Sequence, residues 1–234
     1  MKYMYIFCTI ILLQVSALSS QRITSSEIVK QCIKTHDPRG NWERFKGSFS
    51  MTIERDNQAT RYFDLIFNNK KRSWQYSYQE DNDQWTYGIT KGKKEVFKNR
   101  VPLKDYKTSP ITDERIQYMH DVYQYLFGVP QILIHDLRYL NPVAKDTLFD
   151  GKKVWMLSFD YQNPEKDNWK FFINTTSYQL EGYQFYKISP HEDGEYIILN
   201  DWVRIQGILF PKQKIWYWNT TGLFFRKDQI MSYP

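Results

Sequence analysis

Cysteine is scarce in this chain of 234 residues, which contains only Cys8 and Cys32. Cys8 lies in an apolar N-terminal run that we expect to be removed, and the one remaining thiol excludes an intramolecular disulfide. The residue before Cys8 is Phe7, whereas a bacterial lipoprotein signal places a small residue there. We therefore expect no lipid anchor at Cys8, and we expect Cys32 to be a small buried hydrophobic residue.

The sequence also lacks the motifs of common catalytic and metal sites. It has no G-x-S-x-G elbow, no H-E-x-x-H pair and no glycine-rich phosphate loop, and only 10 Gly in all. His36, His120 and His135 each precede an Asp, but adjacent side chains point in different directions on a strand or a helix. We predict no metal site and no cofactor. The absence of a catalytic motif favours a protein that is not an enzyme, although a glycosidase-like pair of carboxylates stays open.

Long apolar runs are missing beyond the N-terminus. Lys2, the apolar residues 5–15 and the small residues at 17 and 19 have the pattern of a secretory signal peptide, and the run is too short to span a bilayer. We predict a signal peptide over residues 1–20 and a single domain over residues 21–234. A cleaved signal would place the mature protein in the periplasm or outside the cell; a retained membrane anchor is the alternative.

A strong charge of one sign is absent as well. The formal net charge is +6, and removal of Lys2 with the signal peptide would leave +5. Two short basic runs, at residues 69–72 and 91–94, have the composition of hairpin tips that protect sheet edges. We expect no nucleic acid as partner for an exported protein, whereas contact with an anionic membrane surface stays open.

Aromatic residues are abundant, since 18 Tyr, 15 Phe and 8 Trp make up 18% of the chain. From residue 152 to residue 218 they alternate with polar residues in blocks, which is typical of consecutive antiparallel strands. Similar alternation between residues 45 and 98 adds further strands. The blocks in the second half are separated by turn-like segments at residues 163–167, 175–179, 189–194 and 211–214.

Two amphipathic helices accompany the strands, one before the first strand and one between the two groups of strands. Thr24 and Glu27 form a capping box that predicts a helix over residues 25–34, and Thr112 is the N-cap of a second helix that includes Ile116 and Leu126. An apolar segment at residues 131–140 predicts a further helical turn. The predicted fold class is α+β and β-dominated: a curved antiparallel half-barrel of about ten strands wrapped around two or three short helices.

The strand alternation selects a candidate interior. A shift of one residue would invert each set, and a core filled by its own aromatic rings is the alternative to a ligand cavity. The residues expected to line the interior are Phe49, Met51, Phe63, Leu65, Trp74, Tyr76, Trp155, Leu157, Phe171 and Tyr183. Those expected at the mouth are His36, Asp37 and Trp42.

Several short motifs lie in a fixed order between about residues 27 and 230. They are His36-Asp37-Pro38-x-Gly40-x-Trp42, Gly128-Val129-Pro130-x-x-Leu133, Asp167-x-Trp169-x-Phe171-x-Ile173 with Tyr178-x-Leu180, Gly194-Glu195-Tyr196-Ile197 and Pro211-Lys212-x-x-x-Trp216-Tyr217. Together these motifs resemble a family of exported Bacteroidota proteins of unknown function, many of them lipoproteins. This family is similar in plan to lipoprotein-carrier (LolA-like) half-barrels, in which a curved antiparallel sheet wraps helices and an apolar ligand. The resemblance implies a cell-envelope location and lipophilic binding but no reaction, and the chain departs from the lipoprotein members in lacking a lipidated cysteine.

The leading hypothesis is a monomeric periplasmic or secreted half-barrel that binds an apolar or lipid-like ligand. One alternative is an enzyme that uses His36 and Asp37, which requires both side chains to converge on a third polar group in a pocket. Another alternative is a carbohydrate-binding or assembly module that presents exposed Trp and Tyr. The sequence leaves the identity of the ligand open.

Overall fold

One antiparallel sheet of thirteen strands forms the body of the protein. The structure, a computed structural model, describes residues 23–106, 109, 111–161, 168–186 and 194–233. The strands are β1 (Lys46–Arg55), β2 (Arg61–Asn68), β3 (Ser73–Glu80), β4 (Asp83–Thr90), β5 (Lys93–Lys98), β6 (Val101–Pro102), β7 (Lys145–Phe149), β8 (Lys152–Phe159), β9 (Asn168–Asn174), β10 (Leu180–Tyr186), β11 (Gly194–Ile205), β12 (Ile208–Trp218) and β13 (Phe224–Ser232).

The strand order is that of two meanders joined in the middle of the sheet. It runs β6-β5-β4-β3-β2-β1-β13-β12-β11-β10-β9-β8-β7, so β6 and β7 are the two edges and the described strands do not close into a barrel. The first strand pairs with the last, with Thr52 opposite Gln229 and Arg55 opposite Arg226. All other neighbours in the sheet are consecutive in sequence, which keeps the connections short.

Two α-helices pack on one face of this sheet, which we call the inner face. They are α1 (Ser25–His36) and α2 (Asp113–Gly128), and short 3₁₀ helices form at Trp42–Arg44, Asn69–Lys71 and Gln131–Tyr139. The predicted capping box is present: the Glu27 amide donates to Thr24 Oγ1 at 3.2 Å, and the Thr24 amide donates to Glu27 Oε2 at 2.9 Å. Thr112 caps α2 as predicted, by accepting from the Arg115 amide.

The inner face and the helices enclose a single aromatic core. Phe49 on β1 and Phe67 on β2 both contact Phe127 of α2, with ring centroids 4.7 and 5.1 Å apart. Burial alternates along β2, where Leu65 is fully buried and Ile66 is 43% exposed on the outer face. The predicted fold class is therefore confirmed, including the side of the sheet that each residue of β2 faces.

The structure corrects two details of the sequence analysis. Over the residues that the structure describes, the sheet has thirteen strands rather than about ten, because the two-residue β6 and the edge strand β7 are mostly exposed and show no apolar alternation. Residues 211–214 were expected to form a turn, yet they lie within β12, where Pro211 opposes Trp202 and Lys214 opposes Leu199. The chain turns earlier, at Gln206 and Gly207.

Some of the other predicted segments are present in the structure, and others lie outside the described residues. Residues 175–179 form the predicted turn between β9 and β10, and Gln131–Tyr139 forms the predicted helical segment. The turn at 163–167, most of the turn at 189–194 and the signal peptide at 1–20 lie outside the described residues. Within the described residues, no helix has the length and apolar character needed to cross a membrane.

Candidate functional site

A cavity of about 680 Å³ lies between α2 and the inner face, at the end of the sheet where β1 finishes. One wall is α2, which contributes Val122 and Leu126. The opposite wall is aromatic, with Trp169 on β9, Phe185 on β10 and Trp216 on β12. A cavity of this size and lining has the dimensions of a small-molecule site, in which apolar surface supplies most of the contact.

The aromatic wall is held in place by contacts between its own rings. Trp169 stacks on Phe185 with centroids 4.8 Å apart, and Tyr125 of α2 meets Trp169 at 4.7 Å. Trp169 also stacks on Phe171, which continues the same row deeper into the core. The wall therefore continues the packed core, and it presents its outermost rings to the cavity.

Charged side chains line the cavity as well, which is unusual for an inner face. Arg55 and Arg226 lie on the strand side, with Glu195 on β11 and Asp121 on α2. Arg226 donates from Nε and Nη2 to the two carboxylate oxygens of Asp228, which is itself buried. Burial opposes the charge on Arg226, but Asp228 outweighs it and the pKa of Arg226 is raised. Arg226 therefore remains a cation inside the protein.

Lys214 is a further charged residue beside Arg226 and Asp228, and it lies near the C-terminal end of α2. It lies on β12 opposite Asp228, it is almost fully buried, and its Nζ lies 4.5 Å from the centre of the Phe127 ring. Burial lowers the pKa of Lys214 to about 8, although Asp228 acts in the opposite direction. The carbonyl-rich end of α2 and the face of Phe127 both favour a cation at this place.

The ten residues predicted to line the interior all lie on the inner side, but none of them lines the 680 Å³ cavity. Nine are buried and Trp155 is half-buried, in contact with Tyr178. Around Phe49 the space is filled by rings, since Phe45 and Phe210 lie within 6 Å of its centroid. A ligand-binding role for these ten residues stays a prediction.

The cavity-lining residues continue the predicted rows toward the strand ends, by one step on β9 and β10 and by two steps on β1. Trp169 follows the parity of Phe171, Phe185 follows that of Tyr183, and Arg55 follows that of Met51. Extension of the same alternation would have found them. The charged members break the apolar pattern of the rows, and this break was the available signal in the sequence.

The three residues predicted at the mouth lie at the other end of the sheet, near the start of β1. His36 Nδ1 donates to the Leu209 carbonyl at 3.1 Å, and His36 Nε2 accepts from the Leu180 amide at 3.0 Å. The carboxylate of Asp37 accepts from the amides of Asn41 and Trp42, both at 2.8 Å. These bonds to backbone give His36 and Asp37 a structural role.

Trp42 joins the filled end of the core. Its ring stacks on Phe45 at 5.8 Å and also contacts Phe67 and Phe210. The Asn69 side chain donates to the Trp42 carbonyl at 2.8 Å, which ties the first 3₁₀ helix to the second. Trp42 thus closes this end of the half-barrel.

A second cleft, of about 810 Å³, lies on the other side of α2 and is basic. The two basic runs seen in the sequence meet there: Lys70, Lys71 and Arg72 follow β2, and Lys91 follows β4. His120 of α2 completes the lining, with its Nδ1 2.8 Å from Asp121 Oδ1. Within the described ranges, no group of three or more His, Cys, Asp or Glu could hold a metal ion.

The family of the chain follows from a comparison with family models. The model of DUF6503, a family of unknown function, matches residues 1–227. The chain belongs to the DUF6503 family. A search of curated proteins finds no match.

Solved structures show how this DUF6503 protein relates to other folds. A LolA superfamily protein from Nitrosomonas europaea superposes with a TM-score of 0.53 at 11% identity, covering 90% of this chain and 93% of that one. A putative outer membrane lipoprotein-sorting protein domain from Vibrio parahaemolyticus gives a TM-score of 0.51 at 11% identity, covering 89% and 90%. The predicted likeness to LolA-like half-barrels is thereby confirmed for the fold.

Proposed function

We propose that this DUF6503 protein is an exported cell-envelope protein that binds an apolar or lipid-like ligand between α2 and the inner face. The observation that carries the proposal is the 680 Å³ cavity with its wall of Trp169, Phe185 and Trp216. Burial of an apolar chain against such a wall contributes roughly 25 cal/mol per Å² of apolar surface removed from water. The shared fold with a LolA superfamily protein and a lipoprotein-sorting domain supports the same class of ligand.

An envelope location forms part of this proposal. The pattern of residues 1–20 supports export with cleavage of a signal peptide, and the mature protein would then be periplasmic or secreted. Mass spectrometry of the protein recovered from the periplasmic or culture fraction tests it. A mass that corresponds to loss of about twenty residues supports export, and the full-length mass in the cytoplasmic fraction contradicts it.

Native mass spectrometry and probe binding test the ligand. Protein purified without detergent should carry a lipid-like adduct that organic extraction removes, and the extracted protein should bind the neutral fluorophore N-phenyl-1-naphthylamine. Val122→Trp should reduce probe binding at least tenfold, because the larger side chain fills the cavity. Ile66→Trp, on the outer face, is the matched control and should leave binding unchanged. Absence of both adduct and probe binding in the wild type would contradict the proposal.

We further propose that the basic cleft makes a peripheral contact with an anionic membrane surface. Lys70, Lys71, Arg72 and Lys91 gather four cations around one cleft, and each exposed cation near such a surface contributes about 1 kcal/mol. Flotation with phosphatidylglycerol vesicles should recover the protein, whereas phosphatidylcholine vesicles should not. The double variant Lys70→Glu/Lys71→Glu should lose this binding.

The control for that experiment must change the net charge equally at another place. Lys30→Glu/Lys34→Glu does so on the exposed side of α1. If both double variants lose binding to the same extent, net charge rather than the cleft is responsible.

A monomer is also expected, and light scattering of the wild type in the same buffer tests it.

A further inference from the structure

Two arginines face each other across the last rung of the β1–β13 ladder. Arg55 and Arg226 are register partners on the inner face, and both line the 680 Å³ cavity. The next rung, on the outer face, pairs Glu54 with Lys227 through an ion pair of 2.8 Å. Opposite charges across a ladder stabilise it, whereas like charges directly opposite destabilise it. The Arg55–Arg226 pair is therefore expected to destabilise the sheet.

The neighbouring carboxylate neutralises only one of these two cations. Asp228 bonds to Arg226 through both of its oxygens. The Arg55 side chain has no ion pair or hydrogen bond with any described residue, and its Nε is buried without an acceptor. Burial, then Arg226 and Arg61, lower the pKa of Arg55, and the opposing effect of Asp228 does not offset them.

The described residues around Asp228 give this part of the inner face a net positive charge. Among the described residues, Lys214, Arg226 and Arg55 lie on three adjacent strands around the carboxylate of Asp228, so three cations share one anion. Arg61 adds a further cation at the exposed start of β2, near Arg55. The group has room for at least one more negative charge.

The two other acids that line the cavity lie apart from this group. Asp121 is on the exposed side of α2, where Gln117 donates to it at 3.0 Å and His120 lies at 2.8 Å. Glu195 is on β11, three strands away from β1 in the sheet, and opposes Phe185 on β10. Neither forms an ion pair with Arg55.

We propose that the Arg55–Arg226 rung binds the anionic head group, a carboxylate or a phosphate, of an amphiphile whose apolar chain lies along the aromatic wall. This inference rests on the proposed function and names its ligand class. A guanidinium presents parallel N–H donors that match a carboxylate or a phosphate in bidentate fashion. The aromatic wall begins beside the rung, because the Arg226 guanidinium lies 4.7 Å from the centre of the Trp216 ring.

The arrangement predicts discrimination between charged and neutral amphiphiles. A neutral ligand of the same length would gain the apolar contacts but cover the half-buried Arg55 beside Arg226 without supplying a counter-ion. A charged head group would remove the repulsion between the two arginines and supply acceptors for Arg55. We expect at least a tenfold preference for the acid over the corresponding alcohol.

The experiment is displacement of N-phenyl-1-naphthylamine from the lipid-free full chain. Oleate should displace the probe at a concentration at least tenfold lower than oleyl alcohol does. Dodecyl phosphate should likewise displace it at a concentration at least tenfold lower than dodecanol does. Inorganic phosphate alone should be much weaker than dodecyl phosphate, and equal potency would overturn the amphiphile as the ligand. The neutral compounds test binding in the cavity without the head group, so the experiment distinguishes failure of the proposed function from failure of the head-group site. Loss of all binding contradicts the proposed function, and equal binding of acid and alcohol contradicts only the head-group site.

Variants locate the preference. Arg55→Gln should reduce the affinity for oleate at least fivefold and should not reduce that for oleyl alcohol, while Arg55→Lys should retain part of the preference for the acid. Lys227→Gln removes a cation from the outer face of the same ladder and should change neither affinity. Circular dichroism and thermal unfolding verify that the variants are folded. Retention of the full acid preference in folded Arg55→Gln would overturn the inference.

Discussion

The backbone N–H of Leu180 donates to Nε2 of His36 at 3.0 Å, and this bond joins the end of α1 to β10. Because Nε2 accepts, the proton of the neutral ring must be on Nδ1, which donates to the Leu209 carbonyl of β12 at 3.1 Å. One neutral imidazole thus links a helix to two strands of the sheet. Protonation of Nε2 would remove its acceptor and place a charge where His36 is 1% exposed.

Acidification should therefore destabilise the protein through His36. Burial lowers the pKa of His36 to about 4, below the ordinary value of 6.5. Between these two values the unfolded state binds a proton that the folded state does not, so the free energy of unfolding falls as the pH decreases from 6.5 to 4. The loss should be about 3 kcal/mol at 1.36 kcal/mol per unit. Urea unfolding at pH 7, 5.5 and 4 measures it.

The variant His36→Gln isolates this contribution from that of the carboxylates. It should be less stable than the wild type at pH 7, because the two hydrogen bonds are not both reproduced. The difference between the two proteins should shrink toward pH 4, as the wild type loses the contribution of the neutral ring. A difference that is constant from pH 7 to pH 4 would contradict the assignment.

Replacement of Lys214 by Met should stabilise the protein near neutral pH. The buried ammonium group has no carboxylate of its own, since Asp228 is already bonded to Arg226, and a Met of similar length would pack against Phe127 without the desolvation penalty. We expect a gain of about 1–3 kcal/mol in the free energy of unfolding at pH 7. Urea unfolding of both proteins provides the measurement.

The pH dependence of that gain has a defined sign. The pKa of Lys214 is about 8 in the folded state and 10.5 when unperturbed, so between these values only the unfolded state carries the proton. The wild type then gains stability relative to Lys214→Met as the pH rises from 8 to 10.5. The advantage of the variant should shrink by up to about 3 kcal/mol over this range. An advantage that grows with pH would refute the burial of a charged Lys214.

Loss of the Asp37 carboxylate should loosen the closed end of the half-barrel. Its oxygens accept from the amides of Asn41 and Trp42, and Asp37→Ala leaves the buried Trp42 amide without an acceptor. The expected loss is about 1–3 kcal/mol. Asp37→Asn keeps one acceptor oxygen and should lose less. Thermal unfolding followed by tryptophan fluorescence measures both, and equal losses would argue against the role of these two hydrogen bonds.

A pair of neighbouring residues on β2 tests the parity of the sheet. Leu65 is fully buried on the inner face, whereas Ile66 is 43% exposed on the outer face. Leu65→Ala should lower the free energy of unfolding by about 2–5 kcal/mol, and Ile66→Ala by less than about 1 kcal/mol. Similar losses for the two variants would indicate that the register of β2 is different.

Much of the fold could be predicted because it depends on patterns local to each element. Thr24 and Glu27 satisfy each other within one turn of α1, so this helix start needs no distant contact. The side of β2 on which Leu65 lies follows from the two-residue period of any strand. The edge strand β7 escaped prediction because residues 145–148 are exposed and Phe149 is only half-buried, which leaves no alternation to detect.

The candidate site was less accessible to sequence reasoning. Trp169 and Phe185 follow the predicted rows, but the space between them and α2 depends on how far the helix stands off the sheet. Arg55 and Arg226 are 171 positions apart in the chain, and only the pairing of the first strand with the last brings them together. Similarly, the burial of Lys214 depends on Phe127 and Asp228, which come from other elements.

The sequence by itself determined the class of the fold, the starts of the two helices and the inward side of most strands, because alternation and capping are short-range effects. Only the tertiary structure decided that residues 211–214 continue a strand, that the Trp42 end is filled and that a cavity with two facing arginines lies at the other end. The filled end and the cavity arise from the packing of α2 and from the β1–β13 pairing, whose contacts are remote in sequence. Contacts of that kind leave no local period in the chain.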